Sequence, residues 1–345
     1  MGPLVRELES EKGIESRVCL TGQHREMLQQ AIDIFGTRVD YDLNVMQPQQ
    51  TLSGLTERVL LGLDDVLAVE TPDIVLVHGD TTTSVTAALS AFYHNIPVGH
   101  VEAGLRTYNK FSPYPEEMNR TITSRLADIH FAPTEMNREN LAREGITKHV
   151  YVTGNTVIDA VMAIAQKESP RPGRRMILVT AHRRENLGPP LEQICRAIRR
   201  IRDEFDDVEF VYPVHPNPEV SDTVDRVLGG QERISLTPPL DLREMYGLMA
   251  ASYIVMTDSG GLQEEAPVFD VPVLVLRTET ERPEAVEAGT VKVVGVDEDG
   301  IVAAAGNLLE NRGAYEAMAQ AVNPYGDGNA SRRIVGHLLE WSKGR

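Results

Sequence analysis

Three acidic side chains in the first half of the sequence stand where acid–base chemistry would need them. Asp80 and Glu102 each follow an apolar, strand-like run, and Glu116 opens a helical stretch after a proline-rich loop. In an open parallel sheet, ligands bind beyond the carboxyl ends of the strands. Neighbouring carboxylates also shift one another's pKa values, which acid–base catalysis uses. The three acids, with Arg120 at the same helix start, therefore indicate a catalytic site.

Each of these acids also has a simpler interpretation when it is taken alone. Asp80 could cap the helix that follows it, and Glu116 and Glu117 could be favourable charges at a helix N-terminus. Glu102 is harder to explain in this way, because a carboxylate between an apolar strand and a glycine turn is costly to bury. Taken together, the three acids favour a site.

The second half of the sequence offers a turn suited to a phosphate group. The run Thr-Asp-Ser-Gly-Gly at 257–261 follows a strand-like segment and opens a helix, where backbone N–H groups can approach an anion closely. The residues expected to contact phosphate are Ser259, Gly260 and Gly261. One turn further on, Glu264 or Glu265 is placed to accept hydrogen bonds from ribose hydroxyls. A tight strand–helix turn that binds no ligand is the alternative.

Basic side chains follow two other strand-like runs of the second half. His182, Arg183 and Arg184 could face a diphosphate, because the guanidinium group donates two parallel hydrogen bonds. Arg282 follows a later run and could reach the same place. The alternatives are a solvated surface pair for the two arginines and a strand-end histidine with its own partner for His182.

The composition and charge exclude several classes of protein. The 345 residues are 41% hydrophobic and 25% charged, which is typical of a globular chain with two domains. A formal net charge of −17 disfavours nucleic-acid binding that ignores base sequence. No apolar run approaches the roughly 20 residues of a membrane helix. We therefore expect neither nucleic acid nor membrane as a partner.

The sequence also carries no motif for a metal or another cofactor. Histidines and acids do not fall into a zinc or calcium spacing, and there is neither a dinucleotide fingerprint nor a P-loop. Cys19 and Cys195 are isolated, and the first residues lack the apolar core of a signal peptide. We expect a cytoplasmic protein without a cofactor.

Short β-rich runs alternate with amphipathic helical stretches along nearly the whole chain, as in α/β proteins with parallel sheets. The predicted strands lie at 17–21, 73–78, 97–102, 130–132, 150–152, 176–180, 208–213, 234–236, 253–257, 271–276 and 291–294. We predict two doubly wound, Rossmann-like domains that face each other across a cleft, and the segment at 169–173 is the expected boundary. The predicted divisions are 1–168, 174–328 and a final helical segment at 329–345, which could pack back on the first domain.

The start of the chain departs from this pattern. A first α/β domain normally opens with a strand and a phosphate-binding loop, whereas this sequence opens with a helical stretch at 3–9. We expect the first strand and its loop to be missing. A fold that begins with a helix is the alternative.

Together these segments resemble the non-hydrolysing UDP-N-acetylglucosamine (UDP-GlcNAc) 2-epimerases, a family with the glycosyltransferase-B type of fold. The likeness covers nearly the whole chain in order. The matching stretches lie at 23–27, 41–43, 77–83, 99–107, 115–117, 119–120, 153–159, 182–185, 257–267, 281–284 and 323–328. The family's N-terminal Gly-Thr-Arg-Pro-Glu loop has no counterpart here.

The resemblance implies interconversion of UDP-GlcNAc and UDP-N-acetylmannosamine (UDP-ManNAc) by inversion at C2 of the sugar. Family members eliminate UDP to leave 2-acetamidoglucal and then add UDP back after protonation on the opposite face. Asp80, Glu102 and Glu116 match the catalytic carboxylates, without an assignment of each acid to one face. Arg120 would hold these acids or the sugar, and His182 would stabilise the departing diphosphate. The implied substrate-binding residues are Ser259, Gly260, Gly261, Glu265 and Arg282.

Some bacterial members bind a second UDP-GlcNAc as an activator beside the active site. The residues that match this activator site are Gln23, His24, Arg58, Glu117, Arg183 and His215. Position 26 is Glu here, whereas some regulated members carry Gln. Because relatives are often dimers, the resemblance also implies a homodimer, with surface polysaccharide as the pathway served.

Four other functions are open on sequence grounds. A glycosyltransferase could use the same fold, although three carboxylates exceed what simple transfer needs. A hydrolysing relative would release free N-acetylmannosamine and UDP. A related 2-epimerase would act on another UDP-sugar, such as a 2,3-diacetamido uronic acid, and a chain without the front strand could bind nucleotide sugars without catalysis.

Overall fold

The structure is a computed structural model that describes residues 1–22, 25–47, 49–165 and 173–344. The chain forms two compact units, one of Met1–Ala160 with Tyr325–Arg345 and one of Val161–Pro324. The sheets of the described residues are parallel throughout, so the predicted α/β fold class is confirmed. The predicted boundary segment lies outside the described residues except for Gly173.

Helices and strands alternate along the chain as predicted. The described helices are α1 Gly2–Ser10, α2 Arg25–Phe35, α3 Leu52–Glu70, α4 Thr82–Tyr93, α5 Glu116–Leu126, α6 Glu135–Arg143, α7 Thr156–Ile164, α8 Pro189–Glu204, α9 Pro218–Leu228, α10 Leu242–Ala251, α11 Gly260–Glu265, α12 Pro283–Ala288, α13 Glu298–Glu310, α14 Arg312–Ala319 and α15 Ala330–Lys343, with short 3-10 helices at Arg184–Asn186 and Ala266–Phe269. The described strands are β1 Cys19–Leu20, β2 Tyr41–Asp42, β3 Val75–His78, β4 Val98–Val101, β5 Ile129–Ala132, β6 Val150–Val152, β7 Arg175–Thr180, β8 Val208–Pro213, β9 Ile234–Thr237, β10 Ile254–Thr257, β11 Val273–Val275 and β12 Val291–Val293.

Every predicted strand is present, although the ends differ by a few residues. The strand expected at 17–21 is reduced to Cys19–Leu20, which pairs with the unpredicted strand Tyr41–Asp42. A strand of two residues, one of them acidic, has no apolar run by which the sequence could identify it. None of the described helices is long and apolar enough to cross a membrane.

The first unit contains the small β1–β2 sheet and a four-stranded sheet in the order β3-β4-β5-β6. Helices α1 and α15 pack against β4 and β5, where Phe131 and Ile334 are fully buried. Burial of such side chains contributes about 1.5–3 kcal/mol each. Asp159 of α7 fixes the start of α15, because its carboxylate accepts hydrogen bonds from the backbone N–H groups of Ala330 (3.0 Å) and Ser331 (2.6 Å).

The second unit has one six-stranded sheet in the order β12-β11-β10-β7-β8-β9. Strands β7, β8 and β9 extend the sheet in one direction and β10, β11 and β12 in the other. The order reverses between β7 and β10, and ligands of open α/β sheets bind at the carboxyl ends of such strands. Thr180 and Thr257 are register partners there, and their hydroxyl oxygens are 2.6 Å apart.

Candidate functional site

The turn after β3 carries Asp80 and is supported by a buried histidine. Gly79 has a φ of 65°, which glycine adopts without steric cost, and its carbonyl accepts a 2.9 Å hydrogen bond from Nε2 of His100 in β4. Burial lowers the pKa of His100 to about 3, so the ring is neutral and donates from Nε2. Thr81 caps α4, since its hydroxyl accepts from the N–H of Ser84. The helix cap is therefore Thr81 and not Asp80.

Asp80 is held by the first turns of α5. Its carboxylate forms a salt bridge with Arg120, a residue that is only 8% exposed. The Asp80 carbonyl accepts a 2.9 Å hydrogen bond from Nδ2 of Asn119. Main chain and side chain of Asp80 are thus both fixed by neighbours on one helix, as a preorganised catalytic group requires.

Glu117 supports the loop that follows β4. Its two carboxylate oxygens accept hydrogen bonds from the backbone N–H groups of Thr107 (3.0 Å) and Tyr108 (2.8 Å), and Arg120 Nη1 lies 3.5 Å from Oε2. Glu117 is buried, so these contacts compensate the loss of hydration. They account for the residue within the fold, and contact with an activator stays a prediction.

Glu102 follows β4 in a strained backbone conformation. Its φ is 64°, which is costly for a residue with a side chain and is a feature of functional sites. Oε1 accepts a 3.2 Å hydrogen bond from Nδ2 of Asn155, and Oε2 lies 3.8 Å from Nε2 of His78. Burial lowers the pKa of His78, so this ring is neutral beside the carboxylate.

Gly79 brings Asp80 and Glu102 to one place. A Cβ atom at Gly79 would lie 2.9 Å from Oε2 of Glu102, closer than real contacts allow, so the carboxylate packs directly over the glycine. Asp80 is the next residue in the chain. The Glu102 carboxylate therefore lies against the turn that carries Asp80, and the convergence of the three acids on one site stays a prediction.

Glu116 is the first residue of α5. Its Oε2 atom is buried and has no hydrogen-bond partner within the described part of the chain. A carboxylate oxygen in that state is unfavourable unless a ligand or a proton satisfies it. Arg120, the partner of Asp80, lies one turn further along the same helix. A favourable charge at a helix end does not account for this buried oxygen, and the catalytic role of Glu116 stays a prediction.

Asp258 organises the corresponding edge of the second unit. It follows β10, is completely buried, and its Oδ2 accepts hydrogen bonds from the backbone N–H groups of His182 and Arg183, both at 2.8 Å. Nδ2 of Asn186 donates a third bond at 3.0 Å. A single buried carboxylate thus holds the whole loop that follows β7.

His182 and His215 lie together at this edge. Their rings stack with centroids 5.2 Å apart and planes 11° from parallel. Partial burial lowers the pKa of His182, the charges of His215 and Arg183 act in the same direction, and Asp258 opposes them. A neutral His182 can donate one hydrogen bond to an anion. The predicted catalytic histidine and a predicted activator residue are therefore direct neighbours.

The glycine turn lies beside the same loop. Ser259 occupies the N-cap position of α11, and Gly260 and Gly261 form its first turn. A Cβ atom at Gly260 would lie 3.7 Å from Nη2 of Arg183, so this guanidinium borders the turn. Arg184 is exposed, and among the described residues its side chain has no hydrogen-bond or ion-pair partner, as in the solvated alternative.

The two glutamates of α11 differ in their surroundings. Glu264 is buried and forms a salt bridge with Arg282, which gives that predicted substrate-binding arginine a partner inside the unit. Burial, and then the charge of Glu264, raise the pKa of Glu265 to about 7. Of the two candidates for a ribose contact, Glu265 is the one without an arginine partner in the described structure.

The remaining predicted activator residues are only partly described. Arg58 Nε donates a 2.8 Å hydrogen bond to the carbonyl of Val45, and the same guanidinium bonds to Gln50, so it supports the loop before α3. Gln23 and His24 lie outside the described residues. The described residues contain no group of three or more His, Cys, Asp or Glu side chains that could hold a metal ion.

Sequence reasoning assigned no individual role to three residues that hold the site. His100, Asn155 and Asp258 are polar, buried and bonded to segments far away in the chain. The available signal was a polar residue within or next to an otherwise apolar strand. Such a residue needs a hydrogen-bond partner when it is buried. That signal indicates a partner but does not identify it.

Comparisons with known proteins agree along nearly the whole chain. The family model described as UDP-N-acetylglucosamine 2-epimerase matches residues 6–339. The UDP-N-acetylglucosamine 2-epimerase of Bacillus subtilis (strain 168) is 51% identical over 346 residues, which cover 98% of this chain and 91% of that protein.

Solved structures give the same result. The crystal structure of UDP-GlcNAc 2-epimerase from Neisseria meningitidis bound to UDP-GlcNAc has a TM-score of 0.90 and 47% identity, and the match covers 99% of this chain and 96% of that one. The Methanocaldococcus jannaschii UDP-GlcNAc 2-epimerase in complex with UDP-GlcNAc and UDP has a TM-score of 0.80 and 31% identity, with 98% and 95% covered.

Proposed function

The chain belongs to the UDP-N-acetylglucosamine 2-epimerase family, and from this premise we propose that it interconverts UDP-GlcNAc and UDP-ManNAc. The observation that carries the proposal is the shared turn at Gly79. Asp80 follows this glycine in the chain and the Glu102 carboxylate packs over it. Two acids at one sheet edge are what inversion of a carbon centre by proton transfer needs.

The first step of the proposed reaction is an elimination. The C2 proton is not next to a carbonyl, so its direct removal would be very slow. In the proposed reaction a carboxylate takes this proton while the C1–O bond to UDP breaks, and the electron pair of that bond passes to the diphosphate. The products in the site are 2-acetamidoglucal and UDP.

The second step restores the sugar with the opposite configuration. A carboxylic acid delivers a proton to the other face of C2, and a diphosphate oxygen forms a new bond to C1. Because proton removal and proton delivery occur on opposite faces, a single acid cannot serve both. The candidates are Asp80, Glu102 and Glu116, and each acts as base or acid according to the direction of reaction.

The first unit supports these roles by fixing two of the acids differently. Asp80 is ion-paired with Arg120, whereas Glu102 accepts a neutral amide hydrogen bond from Asn155. Glu116 has a buried oxygen without a partner in the described structure. The three acids are therefore held in three different ways, as expected for groups that take different parts in one reaction.

The second unit is proposed to bind the nucleotide. Ser259, Gly260 and Gly261 would offer backbone N–H groups to a phosphate. His182 would donate a hydrogen bond to the departing diphosphate, and fixed donors of this kind stabilise charge that develops in a transition state. Glu265 would accept from the ribose hydroxyls, and Arg282 would complete the substrate contacts.

Regulation and assembly form a second part of the proposal. We propose that a second UDP-GlcNAc activates the enzyme through the residues Gln23, His24, Arg58, Glu117, Arg183 and His215, and that the chain works as a homodimer in the cytoplasm. The stacking of His182 on His215 supports communication between a catalytic and an activator residue. A sigmoidal dependence of rate on UDP-GlcNAc and light scattering at twice the chain mass would test these two points.

Proton NMR with UDP-GlcNAc in deuterated water tests the function directly. The expected result is UDP-ManNAc with deuterium at C2, formed without an acceptor. Free N-acetylmannosamine with UDP would indicate a hydrolysing enzyme. Binding of UDP without exchange at C2 would indicate a nucleotide-sugar binder. Turnover that requires an added acceptor would indicate a glycosyltransferase. Exchange only with a UDP-linked 2,3-diacetamido uronic acid would move the proposal to that substrate.

A further inference from the structure

Asn155 is fixed on three sides at the start of α7. Its Oδ1 atom accepts a 3.2 Å hydrogen bond from the backbone N–H of Val157, as an N-cap residue does. Its own backbone N–H donates a 2.7 Å bond to the carbonyl of Tyr325. The residue is 4% exposed. These contacts hold both the backbone and the side-chain amide of Asn155.

The direction of the Asn155 amide follows from these bonds. Since Oδ1 accepts from Val157, the NH₂ group must point the other way, and there it meets Oε1 of Glu102 at 3.2 Å. An ionised carboxylate only accepts hydrogen bonds. The contact therefore depends on an amide donor at position 155, and a side chain with oxygen alone could cap α7 but not hold Glu102.

We propose that Asn155 is a positioning residue that holds the Glu102 carboxylate in its working orientation. The inference rests on the proposed function, in which Glu102 exchanges protons with the sugar. The backbone of Glu102 is in the left-handed region, with a φ of 64°, and such a conformation persists only where the surroundings hold it. Asn155 supplies that restraint at the far end of the side chain.

The C-terminal segment completes this arrangement. A Cβ atom at Gly154 would lie 3.1 Å from the carbonyl oxygen of Tyr325. The glycine therefore allows the segment before α7 and the segment around Tyr325 to approach each other closely. Asp159 anchors the same segment at Ala330. Through Asn155, the last part of the chain therefore supports an acid that lies far earlier in the sequence.

Two titratable groups from other elements interact with Glu102 within the described part of the chain. The His78 imidazole of β3 lies 3.8 Å away, and the amino group of Met1, whose pKa is lowered by burial, interacts with Glu102 and Asp159. These groups are unchanged by substitutions at 155. A change in the titration of Glu102 in such variants therefore reports on the Asn155 contact.

Three substitutions separate capping from positioning. Asn155→Asp and Asn155→Ser keep an oxygen that can cap α7 and remove the amide donor, whereas Asn155→Ala removes both. Asn137→Asp is the matched control, because Asn137 is an equally buried asparagine whose Oδ1 accepts from the backbone N–H of Thr134 at the start of α6.

The decisive measurement is a carbon NMR titration of the full chain labelled at glutamate carboxyl carbons, with the Glu102 signal assigned through Glu102→Gln. Asn155→Asp should raise the Glu102 midpoint by about one unit or more, because a like charge then faces it. Asn155→Ser should raise the midpoint less, and Asn137→Asp should leave it unchanged. In the epimerase assay, Asn155→Asp and Asn155→Ser should lower kcat roughly tenfold with a smaller effect on KM.

The outcomes distinguish this inference from the proposed function. If the midpoint stays unchanged in both Asn155→Asp and Asn155→Ser, the positioning role is wrong, whatever the activity. If the midpoint moves while the unaltered protein does not epimerise UDP-GlcNAc, the proposed function is wrong and the restraint on Glu102 is upheld. Reduced stability confined to Asn155→Ala, with normal titration and kcat in the other two, would leave Asn155 as a helix cap alone.

Discussion

The backbone N–H of His182 donates a 2.8 Å hydrogen bond to Oδ2 of Asp258. This bond joins the loop that follows β7 to the loop that follows β10. The two strands are neighbours in the sheet, and the strand order of the second unit reverses between them. The imidazole itself comes no closer than 3.8 Å to the other oxygen of Asp258. His182 is thus placed through its main chain, which leaves its ring nitrogens available to a ligand.

Loss of the Asp258 carboxylate should destabilise the second unit. Asp258→Ala leaves the N–H groups of His182 and Arg183 without an acceptor and removes one partner of Asn186. Each buried donor left unsatisfied costs about 1–3 kcal/mol, so we expect the free energy of unfolding in urea to fall by about 3 kcal/mol or more. Asp258→Asn keeps one acceptor and should lose less. Equal losses for the two variants would contradict the role given to the three bonds.

Gly260 should be required for nucleotide binding and not for folding. A Cβ atom there would meet nothing nearer than Nη2 of Arg183 at 3.7 Å, an ordinary contact, and the residue lies in a regular helical turn. Gly260→Ala should therefore unfold like the unaltered protein. The added methyl group would stand where a phosphate approaches the helix N-terminus, so the affinity for UDP should fall about tenfold or more by titration calorimetry. Unaltered affinity would remove this turn from the proposed binding site.

The sequence predicted the strands of the sheets, and it selected the sheet edge at which we propose the site. Buried Val- and Ile-rich runs identified the long strands, and the rule that ligands bind beyond parallel strand ends selected Asp80 and Glu102. The same reasoning left a helix cap as an alternative for Asp80, because aspartate is a good N-cap residue. Only the geometry shows that Thr81 takes that position.

The supporting contacts could not be predicted, because they join distant parts of the chain. Asn155 and Glu102 are 53 residues apart, and Asp258 and His182 are 76 residues apart. Nothing in the local pattern of either residue specifies its partner. Strand β2 was missed for a related reason, since two residues carry no periodicity and their pairing with β1 is again a long-range contact.

Arg120 should matter through its geometry as well as its charge. It is ion-paired with Asp80 and lies 3.5 Å from Glu117. Arg120→Met leaves a buried Glu117 without its cation, and breaking such a pair costs about 3–5 kcal/mol. We expect a lower urea midpoint and no measurable epimerisation.

Arg120→Lys is the variant to compare with Arg120→Met. Lysine keeps the positive charge but lacks the planar fork with which one guanidinium serves two carboxylates. We expect near-normal stability with kcat reduced at least about tenfold. Full activity in Arg120→Lys would mean that Asp80 needs only a nearby charge and no fixed orientation.

Glu265 should give the second unit a distinctive dependence of stability on pH. Burial and the charge of Glu264 raise its pKa in the folded protein from 4.5 to about 7. The folded state therefore binds this proton more tightly than the unfolded state does, and between these two pH values stability falls as pH rises. The loss assigned to Glu265 approaches about 3 kcal/mol above pH 7. Glu265→Gln cannot ionise and should escape it.

The measurement compares urea unfolding of the unaltered protein and Glu265→Gln from pH 4.5 to 8. Other titrating groups are common to both proteins and cancel in the difference. That difference should shift in favour of Glu265→Gln across the window, whereas Glu287→Gln, a change at an exposed glutamate of α12, should give a flat difference. A flat difference for Glu265→Gln as well would mean that its carboxylate is hydrated or paired in solution. Burial would then not raise the pKa of Glu265, and this account of the pH dependence would be wrong.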